Sequence, residues 1–237
     1  MSDSDRLREG LAALSHFFVG GATMDATLRR VSEIAERALP QTAMTGITLL
    51  VDGRPTTAVF TDGGAPEIDT AQYKTGLGPC LEAFRTAQPV IIESVDSDDR
   101  WIEFCRTAGQ HGIRSTMSLP LVVSDEGVGA LNFYSRNPVA YGPSDVAVGT
   151  QFAAQAAIVL ANARAYWDAQ QLSQRLSEAM ASRAVIEQAK GIVMAQSKVP
   201  PDAAFELLVR ASQRENRKLR DIARDLVRRH SGDDPAA

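Results

Sequence analysis

Apolar residues recur at helical spacing through most of the first forty positions. In residues 4–39, leucine, valine, isoleucine and phenylalanine stand three or four positions apart, and the pattern is interrupted at Gly20 and Gly21. This spacing lines one face of an α-helix with apolar side chains. The pattern therefore predicts a helical segment that is interrupted at the two glycines and closed by Pro40, because proline disrupts a helix interior.

Beyond Pro40 the pattern changes to that of β-strands. Two short β-rich runs, 46–53 and 56–61, flank the dipeptide Asp52-Gly53, which is a strong hairpin signal. Three more strands are predicted after an intervening helix from the segments "QPVIIES", "STMSLPLVV" and "VGALNFYS", with residues 125–127 marking a second hairpin. Five antiparallel strands flanked by helices predict an α+β fold.

A very long helix is predicted next. Residues 144–196 contain no proline, and apolar residues recur at helical spacing almost throughout. If continuous, this helix would extend on the order of 75 Å at 1.5 Å per residue. Four apolar residues in it fall at the sevenfold spacing of a coiled-coil seam: Leu172, Ala179, Ile186 and Val193. Arg183 and Lys190 interrupt the seam, so the alternative is a helix that bends back on its own domain.

Two shorter amphipathic helices follow. The first is predicted to begin at Pro201 and to end near Asn216, a residue that tolerates the left-handed cap conformation. The second has apolar residues at i, i+3, i+4, i+7 and i+8 between Leu219 and Val227. The opposite side of this helix has a row of four arginines: Arg217, Arg220, Arg224 and Arg228.

The arginine row suggests a polyanionic partner. Like charges at this spacing repel and weaken a helix by a few tenths of a kcal/mol per pair, so a stabilising role is not expected. The alternative is a solvated face partly neutralised by Glu215, Asp221 and Asp225, but these acids lie one position off the row. A surface that follows nucleic-acid phosphates explains the pattern better.

The distribution of charge supports the same division of the chain. The 237 residues have a net charge of −4. Residues 1–171 contain 13 basic and 20 acidic residues, a balance of −7, whereas residues 172–230 contain 12 and 7, a balance of +5. Asp233 and Asp234 in the tail add −2, which gives the total of −4. The C-terminal segment is thus a basic module on an acidic protein, and only this module is expected to attract a polyanion.

Targeting signals are not evident in the sequence. The first ten residues are acidic and polar, and the longest near-apolar run, 152–161, is about half the ~20 residues of a membrane span. A cytoplasmic protein without a membrane partner is therefore predicted.

Catalytic and metal-binding patterns are weak. Gly76 and Gly78 form an isolated G-x-G that favours a turn, and Asp98 and Asp99 have Arg100 as a neighbouring ion-pair partner. The three histidines share no metal-ligand or triad spacing with other residues: His16, His111 and His230. The sequence predicts neither an enzyme nor a metal site.

The C-terminal segment also contains three blocks in a specific order: "AKGIVM" (189–194), "AFELLVRAS" (204–212) and "NRKLRDIA" (216–223). In this it resembles the ANTAR domain, an RNA-binding antitermination module, over essentially the whole length of that domain. The resemblance implies three helices that bind paired stem-loops in a nascent leader transcript and prevent a terminator hairpin. One departure is Pro200, where the family usually has a capping serine or threonine.

The resemblance and the charge pattern together predict the RNA-binding residues. Gly191 would allow a neighbouring helix or an RNA backbone to approach closely, although packing within the protein is an equal alternative. The predicted contacts are basic residues of the three helices and the turn: Lys190, Arg210, Arg214, Arg217, Lys218, Arg220, Arg224 and Arg228.

The N-terminal region contains the segments "TGLGPCLEAF", "DDRWIEFC", "GIRSTMSLPLVV" and "VGALNFYS", closed by "AAQAAIVLANA". It resembles a GAF domain of the kind that precedes ANTAR domains in actinobacterial regulators. Such domains sense signals or dimerise, so a small-molecule or redox signal is expected, and the resemblance leaves the ligand and any cofactor open. The predicted boundaries are 1–165 for the GAF-like domain, 166–182 for a helical linker, 183–230 for the ANTAR-like domain and 231–237 for a disordered tail.

Cys80 and Cys105 are the two candidates for a redox input. Cys80 follows Pro79 at a predicted helix start, where backbone N–H groups lower a thiol pKa, and Arg85 and Arg106 are predicted cationic neighbours. The alternative is that both cysteines are small apolar core residues.

These observations predict an RNA-binding antitermination regulator, homodimeric through its long helix, whose GAF-like domain controls an ANTAR-like module. Two alternatives of other classes stay open. The last two helices could form a DNA-binding helix-turn-helix, or the protein could be a ligand or redox sensor that signals only through protein contacts.

Overall fold

The computed structural model describes residues 3–15, 23–51, 54–61 and 66–231. The predicted break at Gly20 and Gly21, the Asp52-Gly53 turn and tail residues 232–237 lie outside the described residues. The chain divides into two compact units between Trp167 and Asp168.

The described residues of the first unit form ten complete elements and the beginning of an eleventh. In chain order they are α1 (Asp3–Ser15), α2 (Met24–Ala38), β1 (Met44–Val51), β2 (Arg54–Phe60), α3 (Pro66–Thr75), α4 (Pro79–Thr86), β3 (Val90–Ile92), α5 (Ile102–Gln110), β4 (Ser115–Val123), β5 (Glu126–Ser135) and α6 (Pro143–Ser197). The second unit contains the rest of α6 with α7 (Pro201–Glu215) and α8 (Leu219–Ser231).

The five strands form one antiparallel sheet in the order β2-β1-β5-β4-β3, which confirms the predicted α+β fold. Val51 pairs with Arg54, so β1 and β2 form the predicted hairpin. The β4–β5 hairpin is also confirmed, but its turn lies one residue earlier than predicted. Ser124 and Asp125 have φ angles of 51° and 66°, as a two-residue hairpin turn with positive φ at both central positions requires.

The two faces of the sheet differ in chemistry. One face packs against α1, α2 and α6 in a large apolar core that includes Leu28, Leu131 and Phe152. The other face meets α3, α4 and α5 in a smaller core around Ile68 and Phe104. Strand residues on this second side include the buried polar groups of Thr48 and Asn132. The α3–α5 side is therefore less apolar than the opposite core.

Helix α6 is continuous over 55 residues, which confirms the predicted long helix and corresponds to about 80 Å at 1.5 Å per residue. By length and composition it is also the one helix of the described residues that could cross a membrane. A core helix of a soluble protein passes the same test, and Phe152, Ala156 and Leu160 of its first part are buried in the core. Packing within the first unit thus accounts for part of the apolar character of α6.

Candidate nucleic-acid interface

The end of α6 packs with α7 and α8 around a small core. Ala189, Leu208 and Ala223 are its buried residues, one from each helix. Partly buried aliphatic side chains surround them: Val185, Ile186, Val193, Leu219, Leu226 and Val227. The two buried alanines keep the helix axes close, so this unit has its own core despite its size.

The ends of α7 match the sequence prediction. The helix begins at Pro201 and its N-cap, Pro200, provides no side-chain hydrogen bond, so the departure from a capping serine or threonine leaves the first turn without that support. At the other end Asn216 adopts the left-handed conformation, with φ 49°. The backbone N–H of Arg217 then donates to the carbonyl of Ser212 at 3.1 Å, which closes the helix before the turn to α8.

Arg217 forms the closest ion pair of the arginine row. Its Nη2 lies 2.6 Å from Oδ2 of Asp225 on α8, and its Nη1 lies 3.6 Å from Glu215. This hydrogen bond raises the pKa of the Arg217 guanidinium and lowers the pKa of the Asp225 carboxyl. Arg217 stands before the first residue of α8, so its ion pair joins the turn to the helix that follows.

The acids that the sequence placed off the arginine row in fact reach it. Besides the Arg217 pairs, Nη1 of Arg224 lies 3.1 Å from Asp221, and Nε of Arg220 lies 3.9 Å from the same carboxylate. These contacts fit the alternative from the sequence, in which the neighbouring acids partly neutralise the row. One position along a helix is a 100° rotation, but an arginine side chain is long enough to span it.

The remaining predicted cations divide into paired and unpaired groups. On α7, Arg210 pairs with Glu206 at 3.0 Å, and Arg214 lies 3.5 Å from Glu215. In the part of the chain that the structure describes, Lys218 and Arg228 form no ion pair and are exposed. Of the predicted cations, the two without an ion pair in the described residues therefore lie in the turn before α8 and near the end of α8.

Lys190 and Gly191 lie on the part of α6 that belongs to the three-helix unit. Lys190 Nζ is 2.5 Å from Glu187 one turn earlier, and its side chain is only 22% exposed. Gly191 is exposed, and no heavy atom would lie within 4 Å of a Cβ added there. Packing inside this chain therefore does not explain the glycine, which was the alternative from the sequence.

The predicted coiled-coil seam is split in two. Leu172 and Ala179 are exposed, with 59% of the Leu172 surface open to solvent. Ile186 and Val193 instead pack against the core of the three-helix unit. The prediction of one seam from 172 to 193 is therefore wrong for its second half, because α7 and α8 of the same chain cover those side chains.

Comparison with known proteins agrees with this architecture. Residues 21–161 match the GAF domain family, and residues 174–227 match the ANTAR domain family. The first match alone spans more than half of the chain.

The chain belongs to the GAF family and has an ANTAR domain after its GAF domain.

Solved structures show the same fold for the GAF domain. The GAF domain of an Acinetobacter phosphoenolpyruvate-protein phosphotransferase is 17% identical, with a TM-score of 0.54, over 71% of this chain and 99% of that one. Free methionine-R-sulfoxide reductase from Neisseria meningitidis is also 17% identical, with a TM-score of 0.54, over 69% and 91%. At this identity the likeness shows the fold and not the reductase activity. No curated protein matches the sequence.

Both matched families are regulatory domains, and the GAF domain contains no assembled metal site in its described residues. His111 Nε2 lies 3.0 Å from a Glu67 carboxylate oxygen, and Asp98 pairs with Arg100, whose hydrogen bonds lower the Asp98 pKa. Gly76, with φ 69°, forms the turn between α3 and α4, as its isolated motif predicted.

Both cysteines are buried in the GAF domain, so the predicted reactive thiolate is wrong. Cys80 does lie in the first turn of α4, but burial raises the pKa of its thiol to about 12, and burial raises that of Cys105 to about 11. The Cys80 backbone N–H already donates to Gln72. Arg85 and Arg106 pair with neighbouring glutamates, so they do not lower either pKa.

A buried polar cluster in the GAF domain escaped the sequence analysis. Asp69 of α3 is fully buried and receives hydrogen bonds from Thr57, Gln72, Tyr73 and Tyr134. Burial raises the Asp69 pKa against the opposing effect of these bonds. The signal was present in the spacing of Asp69, Gln72 and Tyr73 at i, i+3 and i+4, which places three polar groups on one helix face.

Native Cys80 and Cys105 should alkylate slowly between pH 6 and 9. Raising a thiol pKa from 9.0 to about 12 for Cys80 lowers its thiolate fraction roughly 1000-fold, and a rise to about 11 for Cys105 lowers it roughly 100-fold. Iodoacetamide labelling followed by peptide mass spectrometry measures both rates. Protein unfolded in urea is the control and should label at the rate of a peptide thiol. Equal rates in native and unfolded protein would contradict burial of the thiols.

Proposed function

We propose that this GAF–ANTAR protein binds RNA through its ANTAR domain and acts as a transcription antitermination regulator under the control of its GAF domain. ANTAR domains are associated with RNA binding, and the domain composition is that of a regulator rather than an enzyme. Stem-loops of a leader transcript are the proposed target. A cytoplasmic location follows from this role.

The observation that best supports the proposal is Gly191. A glycine in the middle of a helix costs roughly 0.5–1 kcal/mol relative to alanine, and in this chain nothing occupies the space beside it. A partner that approaches the α6 backbone closely gives the glycine a role. Lys190, directly before it, forms an ion pair with Glu187 and would exchange that carboxylate for a phosphate when RNA binds.

The predicted cations differ in how readily they can contact RNA phosphates. Lys218, Arg220 and Arg228 are the most available, because the first and last make no ion pair among the described residues and Arg220 makes only a long one. Arg224, Arg210 and Arg214 exchange an intramolecular carboxylate for a phosphate when RNA binds. Arg217 contributes mainly to the turn, since contact with RNA would break its 2.6 Å pair with Asp225.

A DNA-binding helix-turn-helix is the second candidate. It is favoured by the three-residue connection, 216–218, between α7 and α8, which is the turn length of that motif. This alternative gives Gly191 no role, because α6 is not part of the two-helix motif. Signalling through protein contacts alone would leave Lys218 and Arg228 solvated.

Replacing Arg220 and Arg228 by alanine should weaken RNA binding and reduce the salt slope by about 1–2 units, at about 0.7–0.9 per lost phosphate contact. Fluorescence anisotropy measures this at two salt concentrations, with a two-stem-loop leader RNA and duplex DNA of equal charge as competitors. The control, Arg29→Ala with Arg54→Ala at two exposed positions of the GAF domain, removes the same charge. It should change neither the RNA affinity nor the salt slope. Stronger competition by the DNA would favour the helix-turn-helix, and an unchanged slope would exclude these two arginines.

Gly191→Ala should stabilise the protein and weaken its RNA binding. The added methyl group strengthens the helix by roughly 0.5–1 kcal/mol, yet it occupies the space proposed for the RNA backbone, so we expect roughly tenfold lower affinity. Urea unfolding and RNA titration measure the two effects.

Gly109→Ala is the matched control for that variant. Gly109 is also helical, and its added Cβ would meet only Val95 Cγ2 at 3.9 Å. It should stabilise the GAF domain by a similar amount and leave RNA affinity unchanged. Equal RNA affinity of Gly191→Ala and wild type would remove the main support for the proposed interface.

We propose further that the protein is a homodimer held by the exposed part of α6. Three large apolar side chains in the part of this helix that belongs to the second unit are open to solvent: Leu172, Leu176 and Met180. Leu172 and Leu176 are four residues apart, which is the spacing of neighbouring seam positions in a coiled coil. A second copy of the helix would cover them.

Leu172→Glu with Leu176→Glu should halve the molar mass measured by light scattering, because a dimer would bury both charges in its seam. Neither residue belongs to a core of the chain, so the fold should persist, and circular dichroism checks this. Leu77→Glu, at an exposed position of the GAF domain, is the control and should keep the dimer mass. A wild-type molar mass near 25.5 kDa, the mass of one chain, would contradict the homodimer. A double variant that stays dimeric would contradict a dimer held by α6.

A further inference from the structure

A shallow apolar depression lies on the surface of the GAF domain, where the end of α3 meets the start of α5. Its volume is about 210 Å³, and its lining includes Leu77, Trp101 and Ile102. Leu77 is 54% exposed and Ile102 is 65% exposed, so neither side chain belongs to the core behind them. Single exposed apolar residues are common on proteins, but several that line one depression indicate a contact surface.

Trp101 gives this depression a rigid centre. The Arg100 guanidinium lies 4.6 Å from the centre of the indole ring, within the range of a cation–π contact. Hydrogen bonds to the Asp98 carboxylate and, at 2.7 Å, to the Ile91 carbonyl fix the same guanidinium. An ordered ring loses little conformational freedom when a partner covers it. Tryptophan and arginine are also enriched among the residues that contribute most to binding at protein interfaces.

One unpaired charge of each sign flanks the depression. Lys74 belongs to the last turn of α3 and lines a polar groove that shares Thr75 and Glu103 with the depression. Asp99 lines the depression itself on the α5 side. Both are exposed, and neither forms an ion pair within the described part of the chain, whereas Glu103 is paired with Arg106 at 2.6 Å. The available charge is therefore positive on the α3 side and negative on the α5 side.

We propose that this depression is an interface between two copies of the chain that are related by a twofold axis. A twofold contact brings the same patch of both copies together, so the patch must complement itself. The apolar centre satisfies this requirement, and so do the flanking charges, because Lys74 of each copy can pair with Asp99 of the other. A partner with only one sign of charge would leave one of the two residues unpaired or repelled.

This interface goes beyond the dimer proposed above, since no residue of α6 takes part in it. The depression is small compared with the surface that a stable complex buries, so the contact is weak and forms at high protein concentration. In a protein that is already dimeric through α6, it would join dimers into larger assemblies.

Charge reversal tests the interface. Sedimentation equilibrium over a concentration series measures self-association of the full chain with Leu172→Glu and Leu176→Glu, so that the α6 seam does not contribute. We expect Asp99→Lys and Lys74→Asp each to weaken the remaining self-association roughly tenfold, because the twofold contact then places like charges opposite each other twice. A mixture of the two variants should associate about as tightly as the unreversed chain, since both pairs again have opposite signs.

Two further variants separate the interface from a general effect of charge. Ile102→Ser removes an exposed apolar side chain from the depression and should also weaken self-association roughly tenfold, with the fold checked by circular dichroism. Glu126→Lys makes the same change of charge as Asp99→Lys at an exposed position outside the depression, and it should leave self-association unchanged. Absence of self-association at every concentration, no rescue on mixing, or equal weakening by Glu126→Lys would each overturn the inference.

Discussion

One unbroken helix, α6, supplies side chains to both hydrophobic cores of the chain. Phe152, Ala156 and Leu160 pack in the GAF core, and some thirty residues later Ala189 is buried in the core of the ANTAR domain. A helix satisfies its backbone hydrogen bonds internally, so α6 can continue between the cores without help from packing. Apolar side chains of α6 between the two cores pack against neither of them, and Leu172, Leu176 and Met180 therefore remain exposed.

The spacing of apolar residues and the local turn signals predicted most of the fold correctly. The strands, both hairpins, the unbroken α6, and the Pro201 and Asn216 ends of α7 each depend on local rules that a few neighbouring residues satisfy. The failures concern contacts that no local pattern contains. Ile186 fits a heptad seam and an intramolecular core equally well, and only the docking of α7 and α8 decides between them.

Cys80 shows how tertiary burial outweighs a local electrostatic effect. A helix N-terminus stabilises a nearby thiolate by at most about 2 kcal/mol, while removing the group from water can raise its pKa by several units. The Asp69 cluster escaped prediction for a related reason. Its partners Thr57 and Tyr134 lie on strands 12 and 65 residues away in sequence, so only the folded sheet brings their hydroxyls to the carboxyl group.

The arginine row illustrates the limit of counting charges on a helix. Exposed ion pairs contribute about 0–1 kcal/mol, so the pairs of Arg217 and Arg224 explain little of the stability of the ANTAR domain. They do change which cations are available, because an arginine held by a carboxylate must give up that partner before it meets a phosphate. Lys218 and Arg228 have no such partner in the described structure. In the proposed binding of RNA, Lys218 and Arg228 therefore form phosphate contacts without first breaking an ion pair, which the net charge of +5 of this segment does not reveal.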